Sequence, residues 1–513
     1  MDVLLWITLL SGAAWLYLAL AHGRFWLTGQ RLAPRGTVRP PLDPARAPSV
    51  AVVVPARDEA DVIGSALPTL LAQDYAGPAR VILVDDGSTD GTGDLAKTFG
   101  TAPEARLPLT VTTPGPPPPG WTGKLWALRH GVEVATGGTA QGDEAPAAGA
   151  PDFLLFTDAD IAHAPDSLTR LVDEAVYGPV SRRTHDRGRV GGPASADPHA
   201  AGRLTSSDPH AADRLAPADP HAADPLAEPD RSAPSAVVPG GLTGRHASAS
   251  RDAADRDAVA PALDFVSVMA RLRVETGWER VIVPAFVYFF AKLFPFARVN
   301  NPRARTAAAA GGCVLVGREA LARAGGIEAI RDAVIDDVTL GTAVKRSGGR
   351  IRLVLADSPT MSGAHEAPGA GPFHVDSVRP YPRLADLWRM VSRSAFAQLR
   401  HSWLLLAGTV FGLALVYLAA PVALVTGAVA GDWLLVAAGG ATWLLMTVTY
   451  VPMIRYYGRP FYEALLLPFA ASLYLGMTVD SAIQHARGRG AAWKGRTYPA
   501  PARDDADARP NPR

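Results

Sequence analysis

The layout of apolar runs constrains this chain more than any motif does. One uncharged, almost wholly apolar run spans residues 3 to 21, and three more, at about 404 to 429, 433 to 453 and 464 to 483, crowd the C-terminal part. Each is about as long as a helix that crosses the hydrocarbon core of a bilayer. Between them lies sequence of ordinary globular character. The expectation is a water-facing domain tied to a membrane at both ends.

The first run has only Met1 and Asp2 before it. Without a basic n-region it reads as an uncleaved anchor over residues 1–23, although Ala19-Leu20-Ala21 resembles a signal cleavage site. Arg24, Arg31 and Arg35 follow at once, and the positive-inside rule then places the middle of the chain in the cytoplasm of a multi-pass cell-membrane protein. The C-terminal membrane segments occupy residues 401–485. The last run contains Pro468 and Asp480 and is followed by Arg487, Arg489, Lys494 and Arg496. If all three runs cross, that basic tail, residues 486–513, lies outside, against the charge rule; a re-entrant last run keeps it on the cytoplasmic side and is the favoured path. Residues 281–297 are apolar and aromatic but broken by Pro284, Lys292 and Pro295, a pattern that reads as an interfacial helix.

Residues 24–48 form a linker, Pro- and Arg-rich from residue 32. The pattern then changes to short apolar strands alternating with helical stretches: strands at 49–54, 80–84, 108–112 and 153–156, helices at 61–71, up to 99, and 126–135. Such alternation implies an α/β domain whose parallel-rich sheet is covered on both faces. Its ligands sit beyond the carboxyl ends of the strands. The domain runs over 49–400, interrupted at 181–256 by an Ala-, Asp-, Pro-, Arg- and His-rich segment that repeats Asp-Pro-His-Ala three times and reads as a disordered insertion. The 50 Lys and Arg against 49 Asp and Glu give a formal charge of +1, which does not support a nucleic-acid partner. A single cysteine, Cys313, excludes an intrachain disulfide and a Cys-based zinc site.

Three acidic clusters punctuate the alternating region: Pro55-Ala56-Arg57-Asp58-Glu59, Val84-Asp85-Asp86-Gly87-Ser88-Thr89-Asp90-Gly91-Thr92, and Thr157-Asp158-Ala159-Asp160. Taken singly, each could be a turn or a helix cap. Together, at the carboxyl ends of neighbouring strands, they crowd like charges into one crevice. A divalent cation, Mg²⁺ or Mn²⁺, bridging the phosphates of a nucleotide is the usual reason for such crowding. Lys124 could meet a diphosphate as a point charge, or simply be a solvated lysine at a helix start.

These strings resemble the family 2 inverting glycosyltransferases with their GT-A fold, over about residues 49 to 400 without the insertion. Gly120-Trp121-Thr122-Gly123-Lys124-Leu125-Trp126-Ala127 and the closing membrane runs are most similar to bacterial hopene-associated glycosyltransferases, and carotenoid-acid glycosyltransferases are similar too. The resemblance implies a nucleotide-sugar donor, a lipid acceptor and a divalent cation. It also implies roles for residues. Asp58 and Asp86 would face the base and ribose, with Pro55 and Ala56 beside them. Asp158 and Asp160 match the DxD motif, with Asp160 on the metal. Asp337 matches the general base, with Asp336 in the place of a more usual Glu, although an acidic cap at a helix N-terminus reads the same locally. Gly311 and Gly312 would form a small-residue floor under the acceptor. Processive relatives carry Gln-x-x-Arg-Trp; here Gln398-Leu399-Arg400-His401-Ser402-Trp403 departs from it, so polymer synthesis is not expected. Gln398, Arg400 and Arg393 remain candidates for phosphate contacts. A polysaccharide synthase and a non-catalytic membrane scaffold are the competing readings.

Overall fold

A computed structural model describes residues 2–32, 42–137, 149–179, 261–357, 374–488 and the pairs 492–493 and 496–497. The insertion expected at 181–256 lies outside the described residues.

The elements follow the sequence pattern closely at first. Helix α1 (Asp2–Leu20) leads through the linker to β1 (Val50–Ala56), α2 (Ala60–Leu71), β2 (Ala79–Asp85), α3 (Thr92–Gly100), β3 (Leu109–Thr112), α4 (Gly123–Ala135), β4 (Phe153–Thr157), β5 (Ile161–His163) and α5 (Ser167–Tyr177). After the insertion come β6 (Phe265–Met269), α6 (Gly277–Leu293), α7 (Phe296–Val299), β7 (Cys313–Gly317), α8 (Arg318–Arg323), α9 (Asp336–Arg346), β8 (Ile351–Leu355) and β9 (Val375–Ser377). The C-terminal helices are α10 (Leu384–Gln398), α11 (Trp403–Leu413), α12 (Ala419–Ala430), α13 (Trp433–Tyr456) and α14 (Leu467–Ala486), and a short hairpin of β10 (Ala492–Trp493) and β11 (Arg496–Thr497) follows.

The main sheet has seven strands in the order β3-β2-β1-β4-β7-β6-β8. All run parallel except β7, which is antiparallel to both β4 and β6. Strands β1 and β4 are buried along their whole length, as expected where helices cover both faces of a sheet. Helix α4 lies close on β1 and β2 at Gly131, where a Cβ would collide with Val53 and Val84. The reversed β7 brings its N-terminal end, not its C-terminal end, to the edge where β1, β2 and β4 finish. Gly311 and Gly312 therefore stand beside Asp158, with the Thr157 hydroxyl donating to the Gly312 carbonyl at 2.9 Å.

Helix α6 runs unbroken through Pro284 and begins four residues before its apolar run. Thr276 and Glu279 form a reciprocal capping box at its start. By length and composition five helical segments could cross a membrane: Val3–Leu20, Gly277–Val299, Trp403–Ala430, Trp433–Tyr456 and Phe461–Ala486. They are joined by polar contacts as well as packing. The π-helical turn Ala414–Leu418 between α11 and α12 offers the Val416 carbonyl to Trp15 Nε1 at 2.7 Å. Tyr288 on α6 meets the Thr449 hydroxyl at 2.8 Å, and Lys292 donates to the Tyr417 hydroxyl at 2.8 Å. Pro468 sits in the first turn of α14, where a missing N–H costs nothing. Asp480 accepts from Trp388 Nε1 at 2.9 Å, which ties α14 to α10.

Candidate active site

The carboxyl edge of the sheet opens into a cavity of about 840 Å³. Its inner wall carries Pro55, Lys124, Asp158, Asp160, Gly311, Gly312, Asp336 and Asp337. Eight residues singled out from sequence, scattered over almost the whole span of the domain, thus meet in one space. Its outer wall is of two kinds. Met269, Leu272, Phe286 and Phe290 make an apolar side, partly from α6, while α10 and α14 supply Arg389, Arg393, Gln484 and His485.

Lys124 occupies the first turn of α4, whose N-cap Thr122 accepts from Leu125 N. Its ammonium lies 2.9 Å from Asp158 and 3.1 Å from Asp336. Burial alone would lower its pKa, but the carboxylates of Asp158 and Asp336 outweigh that and hold it above the usual lysine range. Burial pushes the Asp158 carboxyl up, and the Lys124 charge partly offsets the rise. The Asp160 carboxylate accepts from the Ser377 hydroxyl at 2.7 Å and sits 3.3 Å from Arg379.

Asp337 begins α9. Its Oδ2 accepts from Gly311 N at 2.8 Å and its Oδ1 from Val338 N at 2.7 Å. The close approach suits glycine at 311, because a Cβ there would stand 3.3 Å from Asp337 Oδ2. Burial first, then the charge of Asp336, push its pKa up to about 7, against Lys124 and the two backbone N–H groups. Among the described residues Asp336 is paired with Lys124 while Asp337 has no ion-pair partner within 4 Å. The two adjacent aspartates are therefore chemically distinct. Cys313 is buried, and burial pushes its thiol up to about 12, which fits a small packing residue rather than a nucleophile.

Other expected residues lie elsewhere. Ala56, Asp58 and Asp86 are absent from the cavity lining. Asp58, in a left-handed conformation at φ 50°, accepts from Thr89 N at 2.8 Å, while its own N–H donates to Ser88. Arg57 donates to the Asp86 carbonyl and lies 3.7 Å from the Asp86 carboxylate. Asp85 and Asp90 do the turn and capping work in that loop: Asp85 accepts from Ser88 N, and Asp90 accepts from Thr92 N and Ala60 N. The first two acidic motifs are thus laced to each other. Gln398 and Arg400 do not line the cavity either; Arg393 and His401 do. The ring of His401 stacks on His485 at 4.3 Å.

Arg379 was not singled out by sequence, and Glu59 was named only as a member of the first acidic cluster, without a role. Arg379 follows β9, whose antiparallel pairing with β5 delivers it to Asp160, and no motif marks it. Among the described residues no group of three or more His, Cys, Asp or Glu side chains is placed to hold a metal by itself.

Residues 51–190 match the family model described as glycosyl transferase family 2. An N-acetylglucosaminyltransferase of Bradyrhizobium elkanii is 30% identical over 130 residues, which are 25% of this chain and 59% of that relative. Another from Bradyrhizobium sp. (strain ANU 289) is 30% identical over 151 residues, 28% of this chain and 84% of that relative. A solved mannosyltransferase from Pyrobaculum calidifontis, in complex with GDP-Man and Mn²⁺, aligns with a TM-score of 0.40 at 16% identity, covering 95% of this chain and 98% of that one. With the motifs, the mixed and mostly parallel sheet, the family model and the two N-acetylglucosaminyltransferase relatives together, the chain belongs to glycosyl transferase family 2 and its sheet domain has the GT-A fold.

Proposed function

We propose that this glycosyltransferase moves a sugar from a nucleotide-sugar donor onto a hydroxyl of a membrane lipid at the cytoplasmic face, with inversion at the anomeric carbon. The observation that carries the reading is one cavity joining three things: the Asp158 and Asp160 carboxylates, the separate carboxylate of Asp337, and an apolar wall from α6, which packs among the candidate spans. Arg24, exposed just after α1, supports the cytoplasmic placement.

In this reading the donor diphosphate lies against Lys124, with Pro55 beside it. Asp158 and Asp160 fit a divalent cation, since Mg²⁺ and Mn²⁺ are commonly held by one or two carboxylates plus substrate phosphates. Two positive side chains, Lys124 and Arg379, already face these carboxylates. When bound, the cation neutralises charge on the departing diphosphate. Asp337 takes the proton of the acceptor hydroxyl as its oxygen forms the new bond to the anomeric carbon. The bond from that carbon to the diphosphate oxygen breaks with its electron pair on the diphosphate. A pKa near 7 suits a general base at neutral pH. Gly311 and Gly312 leave room for the acceptor beside Asp337. Asp58 and Asp86, tied together through Arg57 and the loop after β2, are placed in this reading as the frame of the nucleoside end.

The resemblance of Gly120 to Ala127 to hopene-associated enzymes makes a hopanoid the first acceptor to test, and the relatives' names make an N-acetylglucosaminyl donor the first sugar. Departure from Gln-x-x-Arg-Trp, with Gln398 and Arg400 away from the cavity, supports single addition over polymerisation. The test is transfer of labelled sugar by the full chain in lipid nanodiscs, with hopanoid and total lipid extract as acceptors. Label should move to a chromatographically lipid-soluble product, and EDTA or Asp160→Asn should abolish it. A water-soluble polymer as product would refute single addition to a lipid, and full activity in EDTA would refute the cation.

A further inference from the structure

Asp160 is claimed twice on the same oxygen. Its Oδ2 accepts from Ser377 at 2.7 Å and lies 3.3 Å from Arg379 Nε. The other arm of that guanidinium, Nη2, lies 2.6 Å from Glu59 Oε2, on the loop after β1. One guanidinium therefore spans the two acidic clusters that follow β1 and β4. The backbone around it is firmly held. Strand β9 pairs with β5, Arg271 pairs with Asp376 at 3.1 Å, and Tyr381 N donates to Glu279 at 2.7 Å. The side chain alone has room to move, since it lines the cavity and is 26% exposed.

We propose that Arg379 is a diphosphate-binding residue held in reserve: without donor it stands in for the divalent cation at Asp160, braced by Glu59, and on arrival of metal and nucleotide it turns to a phosphate oxygen. This rests on the nucleotide-sugar reading above. A guanidinium fork fits a carboxylate pair and a phosphate equally well, so the exchange preserves its charge pairing. The metal gains Asp160 only by displacing a bonded cation, and the nucleotide collects the cation displaced. Each ligand thereby favours the other, and by linkage the effect is reciprocal. The device keeps the carboxylates neutralised when the site is idle and discourages metal from binding without substrate.

The experiment uses the purified full chain in nanodiscs. Free Mn²⁺ is followed by electron paramagnetic resonance, alone and with UDP or GDP as the nucleotide probe. Wild type should bind Mn²⁺ weakly alone and at least about tenfold more tightly with the matching nucleotide. Arg379→Gln should bind Mn²⁺ alone more tightly, by about tenfold, and the nucleotide about tenfold more weakly, so that the mutual enhancement shrinks. Arg379→Lys should fall between. Glu59→Gln removes the brace and should tighten nucleotide binding several-fold. If Arg379→Gln leaves both affinities within about twofold of wild type, the pair is a structural tie and the inference is overturned. Should that variant fail to fold, unchanged nucleotide affinity in Glu59→Gln overturns it instead. If wild type binds neither nucleotide with Mn²⁺, the nucleotide-sugar reading itself falls.

Discussion

Replacing Asp337 by Asn separates chemistry from architecture at this site. The carboxylate accepts from Gly311 N and Val338 N, and an asparagine can keep one of these while turning its amide hydrogens toward the other. Losing one such hydrogen bond costs about 1 kcal/mol. Against that cost, Asn ends the repulsion from Asp336 and the burial of a charge. The sign of the pH effect follows from the raised pKa. The folded carboxyl holds its proton up to about 7, well above the unfolded value, so its ionisation removes stability as pH rises toward and through that point. The melting temperature of Asp337→Asn relative to wild type should therefore improve between pH 5 and pH 8. Turnover should move the other way. Removing a general base typically costs about 10²- to 10⁴-fold. In wild type, kcat/KM should fall below neutral pH, to roughly a tenth of its plateau one unit below the pKa. Donor affinity by calorimetry should survive, because Lys124, Asp158 and Asp160 are untouched, and Asp336→Asn should be milder. Near wild-type turnover in Asp337→Asn, or donor affinity lost in parallel, would refute the assignment and leave the residue as a helix cap or donor ligand.

Deleting residues 185–255 should leave melting temperature and turnover nearly unchanged. The chain on either side already meets, with Ala262 N donating to Val176 O at 3.2 Å and Leu263 N to Ala175 O at 2.8 Å, and shortening a long loop between fixed ends costs little; lost activity at normal expression would show that the segment has a task. Glu279→Ala should destabilise by about 3 kcal/mol or more, because the fully buried carboxylate accepts from Glu275 N, Thr276 N and Tyr381 N, and each orphaned donor costs about 1–3 kcal/mol. Thermal melting checks it, and a drop under a degree would contradict the hydrogen-bond reckoning.

The sheet was legible where local sequence decides it. Val50 to Val54, Val81 to Val84 and Phe153 to Phe156 are continuous apolar runs, and each became a strand ending in an acidic motif. The direction of β7 was not legible, since Cys313 to Gly317 reads the same whichever way it runs. Only the pairing with β4 sets its sense, and it is that reversal that puts Gly311 beside Asp337. Asp158, Asp160 and Asp337 could be found from spacing and resemblance. Arg379 could not, because its partner Asp160 lies far away in sequence and the short strand that joins them carries no distinctive pattern. Asp58 and Asp86 show the opposite case. Their motif was plain, but the hydrogen bonds that turn them toward each other depend on Arg57 and Ser88, whose role no spacing rule conveys.

One hydrophobic cluster runs without a break from the sheet into the apolar helices: Val53, Phe156 and Leu353 belong to it together with Trp15, Tyr288, Tyr417, Tyr450 and Met477. For protein engineering, cutting before Trp403 to obtain a water-soluble enzyme would strip cover from Tyr288 and Phe289 and expose an aromatic surface that invites aggregation. For evolution, substitutions under the sheet and substitutions on the apolar helices share one packing problem and should accumulate in compensating pairs. In folding, the face of the sheet that backs the crevice and the apolar helices bury each other's side chains, so neither is fully covered until both are in place.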